Sequence, residues 1–148
     1  HSFFGPAIAL STPKEPGQDI EPADLQGRDI RENDIVIFHT GWEKRSGSAR
    51  FFQEEWPGIS PAAADALVAL RIKAVGIDSP SVDCPKAIAA GFVSHTRLLN
   101  ARVPLFEALV NLPRVEGRRF FFIGLPLRID QGEASPVRAI ALLDGAKT

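Results

Sequence analysis

Methionine is absent from the 148 residues. The chain opens His1-Ser2-Phe3-Phe4 and runs directly into Pro6-Ala7-Ile8-Ala9-Leu10 with no polar lead-in. A large second residue is a poor context for trimming an initiator, so the expectation is that His1 is an internal residue of a longer native sequence. A single cysteine, Cys84, excludes an internal disulfide and a multi-cysteine zinc knot. No run of about 18 apolar residues is present, which argues against a membrane-spanning helix. There is also no basic-then-apolar signal segment, and with the lone cysteine this leads to an expected cytoplasmic location. Neither sign of charge is in excess: 17 Lys and Arg against 18 Asp and Glu leave a net charge of -1. That balance provides no broad field for nucleic acid or an anionic membrane. Gly-x-Gly-x-x-Gly, the phosphate-binding Lys-Ser/Thr loop and the Gly-x-Ser-x-Gly elbow are all missing, and Cys84 lacks the surround of a cysteine hydrolase.

Apolar residues make up 45% and charged residues 24%, the mixture of a single globular domain over residues 1–148. Residues 3–10 read as a strand that Gly5-Pro6 allows to bend. Residues 11–31 read as a long surface loop with one helical turn at 22–25, where Pro22 pre-sets the helical dihedral. Ile35-Val36-Ile37-Phe38 is apolar without alternation, the pattern of a central strand covered on both faces. Ser60-Pro61 is the best helix start in the chain: serine caps an orphan amide, and proline at the first helical position loses nothing. Ala74-Val75-Gly76-Ile77 reads as a buried strand. Short helices are expected at 87–90 and 95–99, and strands over 103–109, 120–127 and 137–143. The sum is a mixed α/β domain, with several strands near the carboxyl end and turns at Gly117 and Gly132.

The three histidines differ in promise. His1 is read as a frayed terminus, and His39 as a satisfied side chain at a strand end or a proton-transfer group. His95 stands out because Glu107 follows twelve residues later in an otherwise apolar stretch. A carboxylate in such a stretch is costly to desolvate unless it is paired or binds a metal. Imidazole with carboxylate suits zinc, manganese or iron, although zinc usually needs about three protein ligands. Asp78-Ser79-Pro80-Ser81-Val82-Asp83 follows a buried strand, where short polar groups either hold ligands in place or cap the next turn. Trp42, Trp56 and Phe51-Phe52 either line an aromatic pocket or pack in the core. Arg138 either orients an acidic substrate or makes a surface pair.

Taken in order, several segments resemble the metal-dependent cyclase or kynurenine formamidase family. They are Phe4-Gly5-Pro6-Ala7, His39-Thr40-Gly41-Trp42, the stretch from Val75 through Asp83, His95-Thr96-Arg97-Leu98-Leu99, Leu105-Phe106-Glu107-Ala108-Leu109, Leu125-Pro126-Leu127 and residues 132–139. The resemblance implies a compact, β-rich swivelling β/β/α fold and a metal-dependent hydrolase of small amide, formamide or lactone-like bonds. It implies His95 and Glu107 as ligands of zinc or manganese, Asp78 and Ser81 as support around them, and Trp42 as a contact for an aryl substrate. It further implies a homo-oligomer. The family's upstream His-x-Gly-Thr-His-x-Asp-x-Pro-x-His signature has no counterpart here. The expectation is therefore a carboxyl-side portion completed by a missing amino-terminal segment or chain. The alternative is a truncated or degenerate family domain kept for assembly or small-molecule binding.

Overall fold

Among the described residues six strands form one mixed sheet in the order β4-β3-β2-β1-β5-β6. The computed structural model describes residues 3–143, so the reading of His1 falls outside the described residues. The strands are β1 Phe4–Ser11, β2 Ile35–His39, β3 Ala74–Ile77, β4 Leu105–Phe106, β5 Arg119–Ile123 and β6 Ile140–Leu142. The first four are mutually parallel, with Ser11 opposite His39 and Gly76 opposite Phe106. β5 and β6 add on antiparallel beyond β1.

Strand β2 is buried at every position, as its unbroken apolar run predicts. Its even residues Val36 and Phe38 join Ile8, Leu10, Val75 and Ile77 on one face, beneath three helices. These three are α1 (Pro22–Leu25), α3 (Pro61–Ala69) and α5 (Val93–Asn100); α2 is Arg50–Gln53 and α4 is Pro85–Ala89. The odd residues Ile35 and Ile37 lie on the opposite face with Ala7, Ala9 and Ala74. Leu109, Leu112 and Val115, from the stretch joining β4 to β5, cover that second face. Close approach there requires Gly76: a Cβ would sit 2.8 Å from Leu109 Cδ1 and 2.9 Å from Ile37 Cγ1. Each fully buried aliphatic side chain in these layers contributes about 1.5–3 kcal/mol.

Local signals set most boundaries. Ser60 Oγ accepts the Ala63 amide at 3.2 Å and donates to Glu21 Oε2 at 2.7 Å, tying α3 to the capping box of α1. The carboxyl-side strands are shorter than the apolar runs predict. Pro104 and the left-handed Ala108 (φ 54) confine β4 to two residues. β5 ends at Ile123, before Pro126, which has no N–H to donate to a ladder. Residues 124–139 are an irregular arm, and β6 keeps only three residues. Helical turns form at Trp42–Arg45 and Arg50–Gln53, on either side of Gly47. Among the described residues no helix is long and apolar enough to cross a membrane.

The parallel arrangement places the carboxyl ends of β1 to β4 at one end of the sheet. Ser11, His39, Asp78 and Glu107 lie at or just beyond those ends, the position where ligands bind in open α/β sheets.

Candidate functional site

His95 sits in the first turn of α5, whose own N-cap residue supplies no side-chain bond. Capping comes instead from Asp83, fully buried in the loop after β3. Asp83 Oδ1 accepts the Ser94 amide at 2.9 Å, and Oδ2 accepts the His95 amide at 3.0 Å. These are two of the amides that a helix start leaves unpartnered, and a carboxylate also suits that end of the helix dipole. The same Oδ2 lies 2.7 Å from His95 Nδ1. Asp83 is itself gripped: its amide donates to Ser81 Oγ at 3.1 Å and its carbonyl accepts Trp56 Nε1–H at 2.9 Å.

Glu107 follows β4 directly. The left-handed Ala108 turns the chain so that the Ala108 amide donates to Ser79 O and the Leu109 amide to Ile77 O. Glu107 Oε1 accepts the Val82 amide at 2.8 Å and lies 3.3 Å from His95 Nε2. The Glu107 carboxylate raises the pKa of His95; burial opposes it and Asp83 adds to it. Both side chains are partly exposed, at 21% and 31%, and both line a cleft of about 1240 Å³. Its walls are mainly apolar, including Leu99, Phe106 and Leu127, with Arg102 and Arg138 contributing positive charge.

Two donors each about 2.1 Å from one tetrahedral zinc lie about 3.4 Å apart. The 3.3 Å between His95 Nε2 and Glu107 Oε1 therefore fits two ligands of a single ion. Among the described residues no group of three or more His, Cys, Asp or Glu could hold a metal ion.

The other residues singled out from the sequence lie around this pair or away from it. Asp78, fully buried, accepts the Thr40 amide and hydroxyl at 2.9 and 2.6 Å and the Glu43 amide at 3.2 Å, so it fastens the turn after β2. Ser81 reaches His95 only through Asp83. Trp42 is 1% exposed, donates its indole N–H to Phe51 O and carries the Arg45 guanidinium 4.1 Å above its ring. It is not part of the cleft wall. His39 pairs through Nδ1 with Glu116. Asp83 ends the polar segment that the sequence offers as ligand support or turn cap, but no role of its own is read for it there, although it stands twelve residues before His95 as Glu107 stands twelve after.

A cyclase family model matches residues 1–84. The chain is 32% identical over 143 residues to a kynurenine formamidase of Salinibacter ruber, covering 94% of this chain and 63% of that protein. Its fold matches an isatin hydrolase solved with the product analogue thioisatinate, with a TM-score of 0.88 at 23% identity, over 96% of this chain and 61% of the other. A second solved structure, described as a potential metal-dependent hydrolase with cyclase activity, matches with a TM-score of 0.80 at 26% identity, over 95% and 65%. The chain thus spans less than two thirds of the length of these relatives.

Proposed function

Since the chain belongs to the cyclase family, we propose that it is the carboxyl-side part of a metal-dependent hydrolase. The substrate would be a small amide, formamide or lactone-like molecule, of the arylformamidase or isatin-hydrolase kind. The reading is carried by one observation, the convergence of His95 Nε2 and Glu107 Oε1 to 3.3 Å at the edge of an apolar cleft. Zinc or manganese held there would supply an acidified water and a polarised carbonyl.

This chain's own residues do the rest of what can be assigned. His95 and Glu107 would hold the ion, and the Val82 amide fixes Glu107 Oε1 beside His95 Nε2. Leu99, Phe106 and Leu127 exclude water from the bound acyl compound. The remaining ligands and a histidine that moves protons during attack and leaving-group release come from sequence beyond these 148 residues. The share of the relatives' length that the chain spans supports that division. The native form is proposed to be a homo-oligomer.

The test is metal analysis of the native protein together with hydrolysis of N-formylkynurenine and isatin. Bound metal is expected, as is hydrolysis that chelation abolishes and that His95→Ala or Glu107→Ala reduces to background. Full activity after chelation and in both variants would falsify the reading. A stable lone domain that takes up no metal would favour instead a family domain kept for assembly.

A further inference from the structure

His95 is held in an unusual way. One oxygen, Asp83 Oδ2, lies 3.0 Å from its backbone nitrogen and 2.7 Å from its ring Nδ1. Two contacts from one acceptor to the two ends of one side chain close a ring through Cα, Cβ and Cγ. Neither side-chain torsion can then turn without breaking a hydrogen bond. The acceptor cannot follow a moving imidazole either, because Asp83 is fully buried and its other oxygen is committed to Ser94. Its backbone is fixed by Ser81 and Trp56, and Gly58 packs against the same loop so closely that a Cβ there would meet Cys84 N at 2.4 Å. An acceptor at Nδ1 requires the proton on that nitrogen, which leaves Nε2 as the one that can ligate. Nε2 is the nitrogen facing Glu107.

We propose that Asp83 is the positioning residue of this site. By accepting both N–H groups of His95 it fixes the ring orientation and keeps the proton on Nδ1, so that Nε2 and Glu107 meet one metal ion. The inference rests on the metal reading above and adds the residue that makes His95 a preformed ligand. A carboxylate behind a ligating histidine typically changes metal affinity about 10–100-fold when removed.

The experiment uses the full native protein with isotope-labelled histidine. NMR reads the two ring nitrogens of His95, and competition against a chromophoric chelator reads zinc affinity. In the unmodified protein Nδ1 is expected to keep its proton as zinc is added, while the Nε2 signal moves. Asp83→Asn retains one oxygen for the α5 amides; it is expected to stay folded, to lose the protected Nδ1 proton and to bind zinc about 10–100-fold more weakly. Ser94→Ala cuts the 2.6 Å bond from Ser94 Oγ to Ile59 O and loosens the same helix; it should lower Tm and leave zinc affinity within about twofold. Zinc on Nδ1 in the unmodified protein, or equal affinity in Asp83→Asn, overturns the positioning role alone, and the first of these needs no variant. Failure of the unmodified protein to bind either zinc or manganese overturns the metal reading and this inference with it.

Discussion

Two histidines near the same end of the sheet show how similar first contacts produce different roles. His39 closes β2, pairs through Nδ1 with Glu116, and has its Nε2 buried with no hydrogen-bond partner among the described residues. By strand alternation it lies on the face of Ile35 and Ile37, above the second core layer. His95 also gives Nδ1 to a carboxylate, but its Nε2 looks along a partly open cleft toward a second carboxylate. The two carboxylates differ in the opposite sense: Asp83 is fully buried and held at every polar atom, whereas the Glu116 side chain is 32% exposed. A rigid acceptor behind an accessible nitrogen is the setting that the proposed ligand role of His95 requires. A partly exposed acceptor behind a sealed nitrogen leaves His39 no open position for a ligand.

The largest expected effect separates the two directly. His95→Ala should weaken zinc binding by more than about 100-fold, beyond the range for supporting residues. His39→Gln should leave it within about twofold. Chelator competition on both variants checks this, and equal losses would erase the distinction.

Gly58→Ala sharpens the contrast through the backbone. The new Cβ would lie 2.4 Å from Cys84 N and 2.8 Å from Val82 O, atoms on either side of Asp83. The loop must shift, at a cost of about 1–3 kcal/mol of stability. Chemical-shift changes should gather around His95 and leave His39 in place, with zinc affinity reduced. Perturbation spread equally over both histidines would show that Asp83 is not the rigid element.

The smallest effect concerns acid stability at the other histidine. The Ser11 hydroxyl, and then His39, hold the Glu116 carboxyl below its ordinary value of 4.5. A depressed folded value means that the contribution is present above the unfolded value and is lost as pH falls through the folded one. Urea unfolding from about pH 5 to pH 3 should therefore lose stability more gradually in Glu116→Gln than in the unmodified protein. Identical slopes would mean that the Glu116 contact contributes nothing.

Much of the fold could be read locally. Pro22 fixed the α1 turn, Ser60-Pro61 the start of α3, and the unbroken runs at Ile35 and Ala74 two parallel strands. The carboxyl-side strands were over-read because apolar content does not reveal which amides find a ladder. Leu125 and Leu127 are apolar yet exposed on the arm. At the site, His95 and Glu107 were visible as unusual residue types in an ordered series of segments. Trp42 looked like a pocket residue because it follows a strand, but the turn that Asp78 ties down buries its ring.

Composition, caps and the order of motifs along the chain therefore determined the α1 turn, the start of α3, the central strands and the pair of side chains worth testing, because each of these depends on neighbours a few residues away. Only the tertiary structure decided that Asp83 stands behind His95, and which histidine nitrogen faces the cleft. The β3 loop, α5 and the end of β4 are separated by twelve residues on each side, and hydrogen-bond direction exists only once packing has brought them within about 3 Å.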